Sequence, residues 1–565
     1  MHSAGSDTGL PNVEWPLRFF RRLLQHGIDT VFISPGSRST PLVLACQLLP
    51  SIKAHVVLDE RSAAFLALGY AKATGKPAVL VCTSGTAGAN YYPAVIEASM
   101  SGIPMLVCTA DRPAELRGTG APQTIDQRDL LGRYVRHFVD IPPPDGRNKI
   151  EALASEAVDS ALSKQGPVHL NFQFRKPLEP KQLPTADTEA LPGHFEPFEQ
   201  KATPPSNEIL AAIRCSKRPL VIAGPFPLGA SGFQLPEWLR KAPLLAESVS
   251  QVAAGHASWP NLIWGFDSLL RNQDLRNELA PDLIIRLNNQ PVSKGLELFF
   301  DQYRNVVQIA IQQGPHQHDA NGSVDHFLTA IPAEASFEQA ETKWLDRWTW
   351  LSKNFLEKRA NLMGASDTVF SDGHVFSTAA RLLAQERLIS VSNSFPVRDM
   401  DQFAAPLPMG SQVLCNRGAN GIDGVLSTAI GSALATEKDH LLLIGDLAFL
   451  HDTNALLSAH LISETQSFIV VVVNNGGGNI FNMLPVAQHE HVFNDYFITP
   501  QHARIGTLVN TYELGYQKVS DTASFEQAVE HAVSAGGFQV IECLTDSKAS
   551  MKLRKDLWHY DWSVS

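Results

Sequence analysis

Two polar segments, Gly445-Asp446-Leu447 and Asn474-Asn475-Gly476-Gly477-Gly478, hold the residue types best suited to binding a metal ion. Each follows a short run that is apolar on both faces, 441–444 and 468–473, the pattern of a strand buried in a parallel sheet. Open α/β sheets place ligands at the carboxyl ends of such strands. Asp446 offers a carboxylate there, and Asn474 and Asn475 offer amide oxygens. The glycines that follow let main-chain carbonyls come close. Such oxygens suit a hard divalent cation such as Mg2+, with phosphate oxygens completing the octahedron.

Other strand tips carry cations. Residues 30–33 read as a strand that delivers Ser34-Pro35-Gly36-Ser37-Arg38-Ser39-Thr40-Pro41, which is either an anion site or a turn with a solvated arginine. Segment 55–61 places Glu60 where a strand gives way to an Ala- and Leu-rich helix, a position from which an acid can satisfy helix N-terminal amides. Strands at 78–82 and 104–109 end in Thr83-Ser84-Gly85-Thr86-Ala87-Gly88 and Ala110-Asp111-Arg112-Pro113, and a polar segment, 118–127, follows. In the last third, strand 388–391 ends at Ser392-Asn393-Ser394 with Arg398 a turn later, and the segment around Cys415 ends at Asn416-Arg417.

The elements that position these residues alternate strand, polar tip and helix, the pattern of doubly wound parallel sheets. A chain of 565 residues is too long for one core. Three α/β domains are expected: 1–185, then a linker at 186–206, 207–355 and 356–565. The linker lies in a stretch, 175–206, with seven prolines and no periodicity. The middle domain has strands near 283–287 and 306–311 and no catalytic cluster, so its default role is structural. Trp344, Trp348 and Trp350 read as packing residues. Ser524 is expected to cap a helix that Gly536 stops, before strand 538–543 closes the last sheet.

The composition, 44% hydrophobic and 18% charged, is globular. A net charge of -11 argues against broad nucleic-acid or anionic-membrane binding, so an anionic substrate must be met by local arginines and lysines. The six cysteines form no CxxC pair and read as reduced thiols. With no signal-peptide core and no run long enough for an integral membrane segment, a cytoplasmic protein is expected.

Gly445-Asp446-Leu447, 26 residues and then Asn474-Asn475 resembles the signature of the thiamin-diphosphate enzymes. Leu447 stands where many members have glycine, which removes no ligand. Ser-Pro-Gly-Ser-Arg-Ser-Thr-Pro-Leu (34–42), Asp-Glu-Arg-Ser-Ala (59–63), Thr-Ser-Gly-Thr-Ala (83–87), Thr-Ala-Asp-Arg-Pro-Ala-Glu-Leu (109–116) and Asn-Arg-Gly-Ala-Asn-Gly-Ile-Asp-Gly (416–424) narrow the likeness. They resemble the 2-succinyl-5-enolpyruvyl-6-hydroxy-3-cyclohexene-1-carboxylate synthase family of menaquinone and phylloquinone biosynthesis. That resemblance implies thiamin diphosphate with Mg2+ (or Mn2+), held by Asp446, Asn475 and the carbonyl of Gly477, with Gly445 and Leu447 beside it. It implies that Glu60 bonds the cofactor's pyrimidine N1' and promotes catalysis, with burial raising its pKa, and that Ile422 wedges the cofactor. The substrates implied are 2-oxoglutarate, with Ser394, Arg398 and Arg417 at its succinyl end, and isochorismate, facing Ser37, Arg38, Arg112, Gln123 and Lys294. Some members follow that lysine with arginine; here Gly295 stands instead. Ile480, Phe481 and Leu484 would form an apolar wall. A homodimer or homotetramer with active sites between subunits is implied, the first domain binding pyrimidine and the third binding diphosphate and metal. A simpler 2-oxoacid decarboxylase or carboligase, or a non-catalytic cofactor-binding subunit, stays open at this point.

Overall fold

The computed structural model describes residues 9–145, 149–186, 193–198, 201–202, 204–226, 235–314, 316–365, 369–383 and 387–562. Among them, short apolar runs punctuated by glycine and polar tips form three six-stranded sheets, and every strand pair is parallel. The first holds β1 (Thr30–Ile33), β2 (Lys53–Val56), β3 (Ala78–Cys82), β4 (Met105–Asp111), β5 (His137–Ile141) and β6 (Pro167–Gln173), in the order β2-β1-β3-β4-β6-β5. The second holds β7 (Pro219–Ala223), β8 (Leu244–Ala246), β9 (Leu262–Ile263), β10 (Leu283–Leu287), β11 (Val307–Ile311) and β12 (His326–Leu328), in the order β12-β11-β10-β7-β8-β9. The third holds β13 (Leu388–Val391), β14 (Gln412–Leu414), β15 (His440–Gly445), β16 (Ser467–Asn474), β17 (Gly515–Val519) and β18 (Gly537–Leu544), in the order β14-β13-β15-β16-β18-β17. Counted within their own domains, the first and third sheets have the same strand order. These are the three doubly wound domains expected.

The third domain is the junction. Helix Glu60–Thr74 packs against helix Val425–Thr436 backbone to backbone: a methyl group at Gly69 would meet the Thr428 carbonyl oxygen at 1.9 Å, and one at Gly431 would meet that of Leu66 at 1.9 Å. Phe65, Leu66, Ala429 and Ile430 share one apolar core there, while a second core runs from β7 and β10 into the third domain through Val375 and Leu443. Helix Thr342–Met363 makes the covalent passage from the second to the third domain, and the 355/356 division falls inside it. Trp344 and Trp348 are buried on it, and the Trp344 indole donates to the Pro219 carbonyl at 2.9 Å. The described residues between 174 and 206 form no helix or strand; part of the expected linker lies outside the described residues.

Two caps differ from expectation. Asp59, not Glu60, satisfies the first amides of helix Glu60–Thr74, its carboxylate accepting from Arg61 and Ser62. Glu60 is thereby free for other work. Asp521, not Ser524, caps helix Thr522–Ala535, because its backbone is extended and its Oδ1 accepts the Ser524 amide at 2.9 Å. Four cysteines are buried thiols, and Cys215 is exposed. No helix among the described residues is long and apolar enough to cross a membrane.

His440, at the start of β15, is fully buried, stacked on Phe468 at 5.0 Å between ring centroids and hydrogen-bonded to the Ser390 hydroxyl at 2.9 Å. Burial pushes its pKa down to about 3. The unfolded chain therefore takes up this proton first, and stability is lost as pH falls from about 6.5 towards the folded value. Replacing His440 by Asn is expected to flatten that acid limb by up to about 1.4 kcal/mol per pH unit. Urea unfolding of both proteins from pH 6.5 to 4.5 measures it, and parallel slopes would refute it.

Candidate active site

The parallel pairing of β15 with β16 sets Gly445 opposite Val473 and brings the two polar tips side by side. Successive side chains at a strand end point to opposite faces, so the two asparagines part. Asn474 turns to Glu542 on β18, its Nδ2 donating at 2.6 Å, whereas Asn475 turns the other way and donates to Asp372 at 3.1 Å. Only Asn475 joins the oxygen set. Its Oδ1, its own carbonyl and the Gly477 carbonyl lie 2.9, 2.9 and 3.3 Å from one donor, Asn479 Nδ2. Three oxygens thus converge on the positive end of an amide dipole, the polarity that a bound cation would present. Gly477 has φ +126°, and a methyl group there would stand 2.1 Å from the Ile498 carbonyl oxygen, so a side chain could not follow this path.

Asp446 opens helix Asp446–His451 and is 7% exposed. Burial pushes its pKa up to about 6, against the Leu447 amide, which donates to its Oδ1 at 2.8 Å. A cation beside it would relieve that cost. No cluster of three His, Cys, Asp or Glu capable of holding a metal exists among the described residues. One carboxylate with amide and carbonyl oxygens, completed by phosphate, fits Mg2+. The residues present therefore fit a magnesium diphosphate.

At the tips of the first sheet, Arg38 is buried and donates to the Phe174 carbonyl at 2.9 Å. Its pKa is lowered by burial and then by the neighbouring charge of Arg112. Arg112 donates to Ser84 Oγ and the Gln123 carbonyl, each at 2.5 Å, and Gln123 Nε2 donates to the Ser84 carbonyl at 3.0 Å. Ser37 is exposed beside Arg38. Two neighbouring guanidinium groups at the carboxyl ends of these strands can attract an anion. Glu60 is only half-buried in the single chain, so the burial expected around it is not supplied by these residues. Val56 and Leu58, just before it, are 60% and 67% exposed.

A cavity of about 890 Å³ lies between the second and third domains, with Asp267, Arg271, Lys294, Arg398, Leu484 and Arg554 among its walls. Ser394, at φ +74°, holds an uncommon backbone conformation of the kind that clusters at functional sites. Its carbonyl accepts from Arg398 at 2.6 Å. Burial lowers the Arg398 pKa, with the charge of Arg417 next. Arg417 turns to Asn393 Oδ1 at 2.7 Å and lines a separate cavity of about 60 Å³. Lys294 opens helix Lys294–Gln302, capped by Ser293, and pairs with Glu297 at 2.7 Å. A side chain at Gly295 would begin 2.4 Å from the Asp267 carbonyl oxygen, which explains the glycine physically. Of the three expected apolar wall residues, Leu484 lines the cavity; Ile480 and Phe481 lie on the preceding turn, outside its walls. Ile422 packs against the core shared by the first and third domains. None of Ser37, Arg38, Glu60, Arg112 or Gln123 lines this cavity.

Residues 18–130 match the family described as "Thiamine pyrophosphate enzyme, N-terminal TPP binding domain", and residues 400–543 match its C-terminal TPP binding domain. Proteins from Geobacillus kaustophilus and Haloarcula marismortui, each described as 2-succinyl-5-enolpyruvyl-6-hydroxy-3-cyclohexene-1-carboxylate synthase, are both 37% identical to the chain. The matches cover 95% of this chain and 96% of the first relative, and 97% and 98% for the second. The chain belongs to this synthase family. Thiamin diphosphate is accordingly its cofactor. The crystal structure of benzoylformate decarboxylase from Polynucleobacter necessarius shares the fold, with a TM-score of 0.67 and 17% identity over 94% of this chain and 98% of that one.

Membership in the synthase family accounts for the motif residues but not for several that the fold adds. Arg271, Asp267, Asp399, Asp401 and Arg554 line the cavity and carried no sequence signal, because each stands alone in an ordinary helix or loop. The middle domain, expected to be scaffold, therefore supplies walls and charge. Behind Arg398 and Arg417 lies the buried Glu247, and next to it Asp401 accepts from the Ser248 amide; both acids are pushed up in pKa first by burial. Part of the 416–424 motif serves the domain junction instead: the buried Lys72–Glu97 pair, 3.0 Å apart, holds Asn416 and the amides of Gly418 and Ala419. Replacing Asp446 by Asn removes the single carboxylate of the oxygen set. The Mg2+ concentration needed to retain thiamin diphosphate is expected to rise on the order of 100-fold, measured by calorimetric titration; unchanged retention would reject the set.

Proposed function

We propose that the protein condenses 2-oxoglutarate with isochorismate, releasing carbon dioxide and 2-succinyl-5-enolpyruvyl-6-hydroxy-3-cyclohexene-1-carboxylate, in menaquinone or phylloquinone biosynthesis. The observation that carries this reading is the near-full-length family match, together with oxygens of Asn475 and Gly477 already converging on one point. Bound thiamin diphosphate supplies the electron sink that lets a 2-oxoacid lose carbon dioxide.

The chain's own residues do the rest. Asp446, Asn475 Oδ1 and the Gly477 carbonyl would hold Mg2+ (or Mn2+), and with it the diphosphate, with Gly445 and Leu447 flanking the carboxylate. Glu60 shares a proton with the pyrimidine N1', and Ile422 gives the cofactor an apolar support. Ser394 and Arg398, with Arg417 behind, meet the distal carboxylate of 2-oxoglutarate. Ser37, Arg38, Arg112, Gln123 and Lys294 meet the carboxylates of isochorismate, while Ile480, Phe481 and Leu484 exclude water. The arginines are charge-assisted clamps, needed on a protein of net charge -11.

The working unit in this reading is a homodimer or homotetramer, with the first domain, 1–185, facing the third, 356–565, of another subunit. Exposed apolar residues support it on both sides: Val56 and Leu58 beside Glu60, and Phe481, Met483 and Leu484, which are 36%, 40% and 46% exposed, after the metal loop.

The test is carbon dioxide release from 2-oxoglutarate with thiamin diphosphate and Mg2+, with and without isochorismate. Stoichiometric release coupled to isochorismate loss is expected, falling about 10²- to 10⁴-fold in Glu60→Gln. Release indifferent to isochorismate would indicate a simple decarboxylase instead, and no release would reject the substrates.

A further inference from the structure

Asp372 opens helix Asp372–Leu383 beneath the metal loop and is 1% exposed. Its Oδ2 accepts from Asn475 Nδ2 at 3.1 Å and from Arg554 Nη2 at 2.6 Å; its Oδ1 accepts from the Thr545 hydroxyl at 2.6 Å. The Asp372 amide donates to Ser550 Oγ at 2.9 Å, so main chain and side chain are both tied down. Arg554 is equally buried and also grips Asp399, with contacts of 2.9 and 2.5 Å, while its guanidinium lies 3.8 Å over the Phe395 ring.

An asparagine amide has two ends of similar shape and opposite polarity, one donating and one accepting. An ionised carboxylate only accepts. Asp372 therefore selects the Asn475 rotamer that turns Nδ2 inward and leaves Oδ1 among the oxygens facing Asn479 Nδ2. Arg554 fixes Asp372 in this place, donating to the same Oδ2 at 2.6 Å while it also grips Asp399.

We infer that Asp372, held in place by Arg554 and Thr545, is a positioning residue that orients the Asn475 amide for the metal ion. Asp399 supplies the control. It is the second buried carboxylate on the same guanidinium, and it neighbours Arg398 on the cavity wall instead of touching Asn475. A purely structural ion cluster makes the two acids equivalent; a positioning role does not.

The inference rests on the metal reading above, so the test uses Mn2+ as probe, titrated into the full chain with thiamin diphosphate and read from the free-ion electron paramagnetic resonance signal. Absence of cofactor-dependent Mn2+ binding by the wild type would overturn the metal reading and this inference with it. Given wild-type binding, Asp372→Asn is expected to raise the Mn2+ Kd about 10- to 100-fold. Asp399→Asn is expected to leave the Mn2+ Kd near the wild-type value while lowering the thermal midpoint of the metal-free protein at least as much. Should Asp372→Asn fail to fold, Thr545→Val keeps the shape, removes one hydrogen bond from Asp372 and is expected to raise the Kd about three- to tenfold. Wild-type Mn2+ affinity in whichever of these two variants folds, or equal losses in the Asp372 and Asp399 variants, would overturn the positioning role alone.

Discussion

The in-register parallel pairing of β15 with β16 is the constraint on which the candidate site depends. Ile444 lies opposite Val472 and Gly445 opposite Val473, so both strands end at nearly the same height. Asp446 then starts its helix where the glycine loop can direct amides at it. A slip of one residue would exchange the faces of Asn474 and Asn475 and send the wrong amide towards Asp372. Buried apolar side chains on both faces of each strand hold the register, since a shift would misplace the whole row at once.

Charge is arranged against the average of the molecule. The chain is acidic overall, yet guanidinium groups lie together at the tips of the first sheet and again where the second domain meets the third. Burial and then the charge of Arg112 lower the Arg38 pKa, as burial and Arg417 lower that of Arg398, and an arriving carboxylate makes both sites favourable for charge. Acids are kept behind these cations. Glu247 and Asp401 lie at the domain boundary, where burial favours their neutral forms. Asp372 and Asp399 differ in that a single guanidinium, Arg554, touches both.

The third domain gathers the rest of the molecule through helices. Helix Glu60–Thr74 meets it across a contact that only glycine permits, which draws the start of that helix, and so Glu60, towards the turn after helix Asp446–His451. Helix Thr342–Met363 brings in the second domain, and helix Ser547–Trp558 runs between the glycine loop after β16 and the large cavity, carrying Arg554. The cations at the tips of the first sheet do not line the large cavity, so the two groups stay apart within one chain.

By itself the sequence determined the fold class, the strand tips and the motif residues. Runs such as 468–473, apolar on both faces and followed by Asn-Asn-Gly, have one stable destination in an α/β protein, and the spacing from Asp446 to Asn475 is a property of the chain alone. Local chemistry was legible less evenly. Two acids compete for a helix start at 59–60, and only backbone dihedral angles show that Asp59 takes the amides and Glu60 is spared. Which of Asn474 and Asn475 faces the oxygen set also depends on where β16 stops and what lies on either side. Tertiary structure alone decided that the middle domain walls the cavity, that Gly295 is dictated by the Asp267 carbonyl, and that Arg554, near the end of the chain, stands between Asp372 and Asp399. These are meetings of residues far apart in sequence, each ordinary in its own helix or loop, and their significance lies in distances that no local pattern encodes.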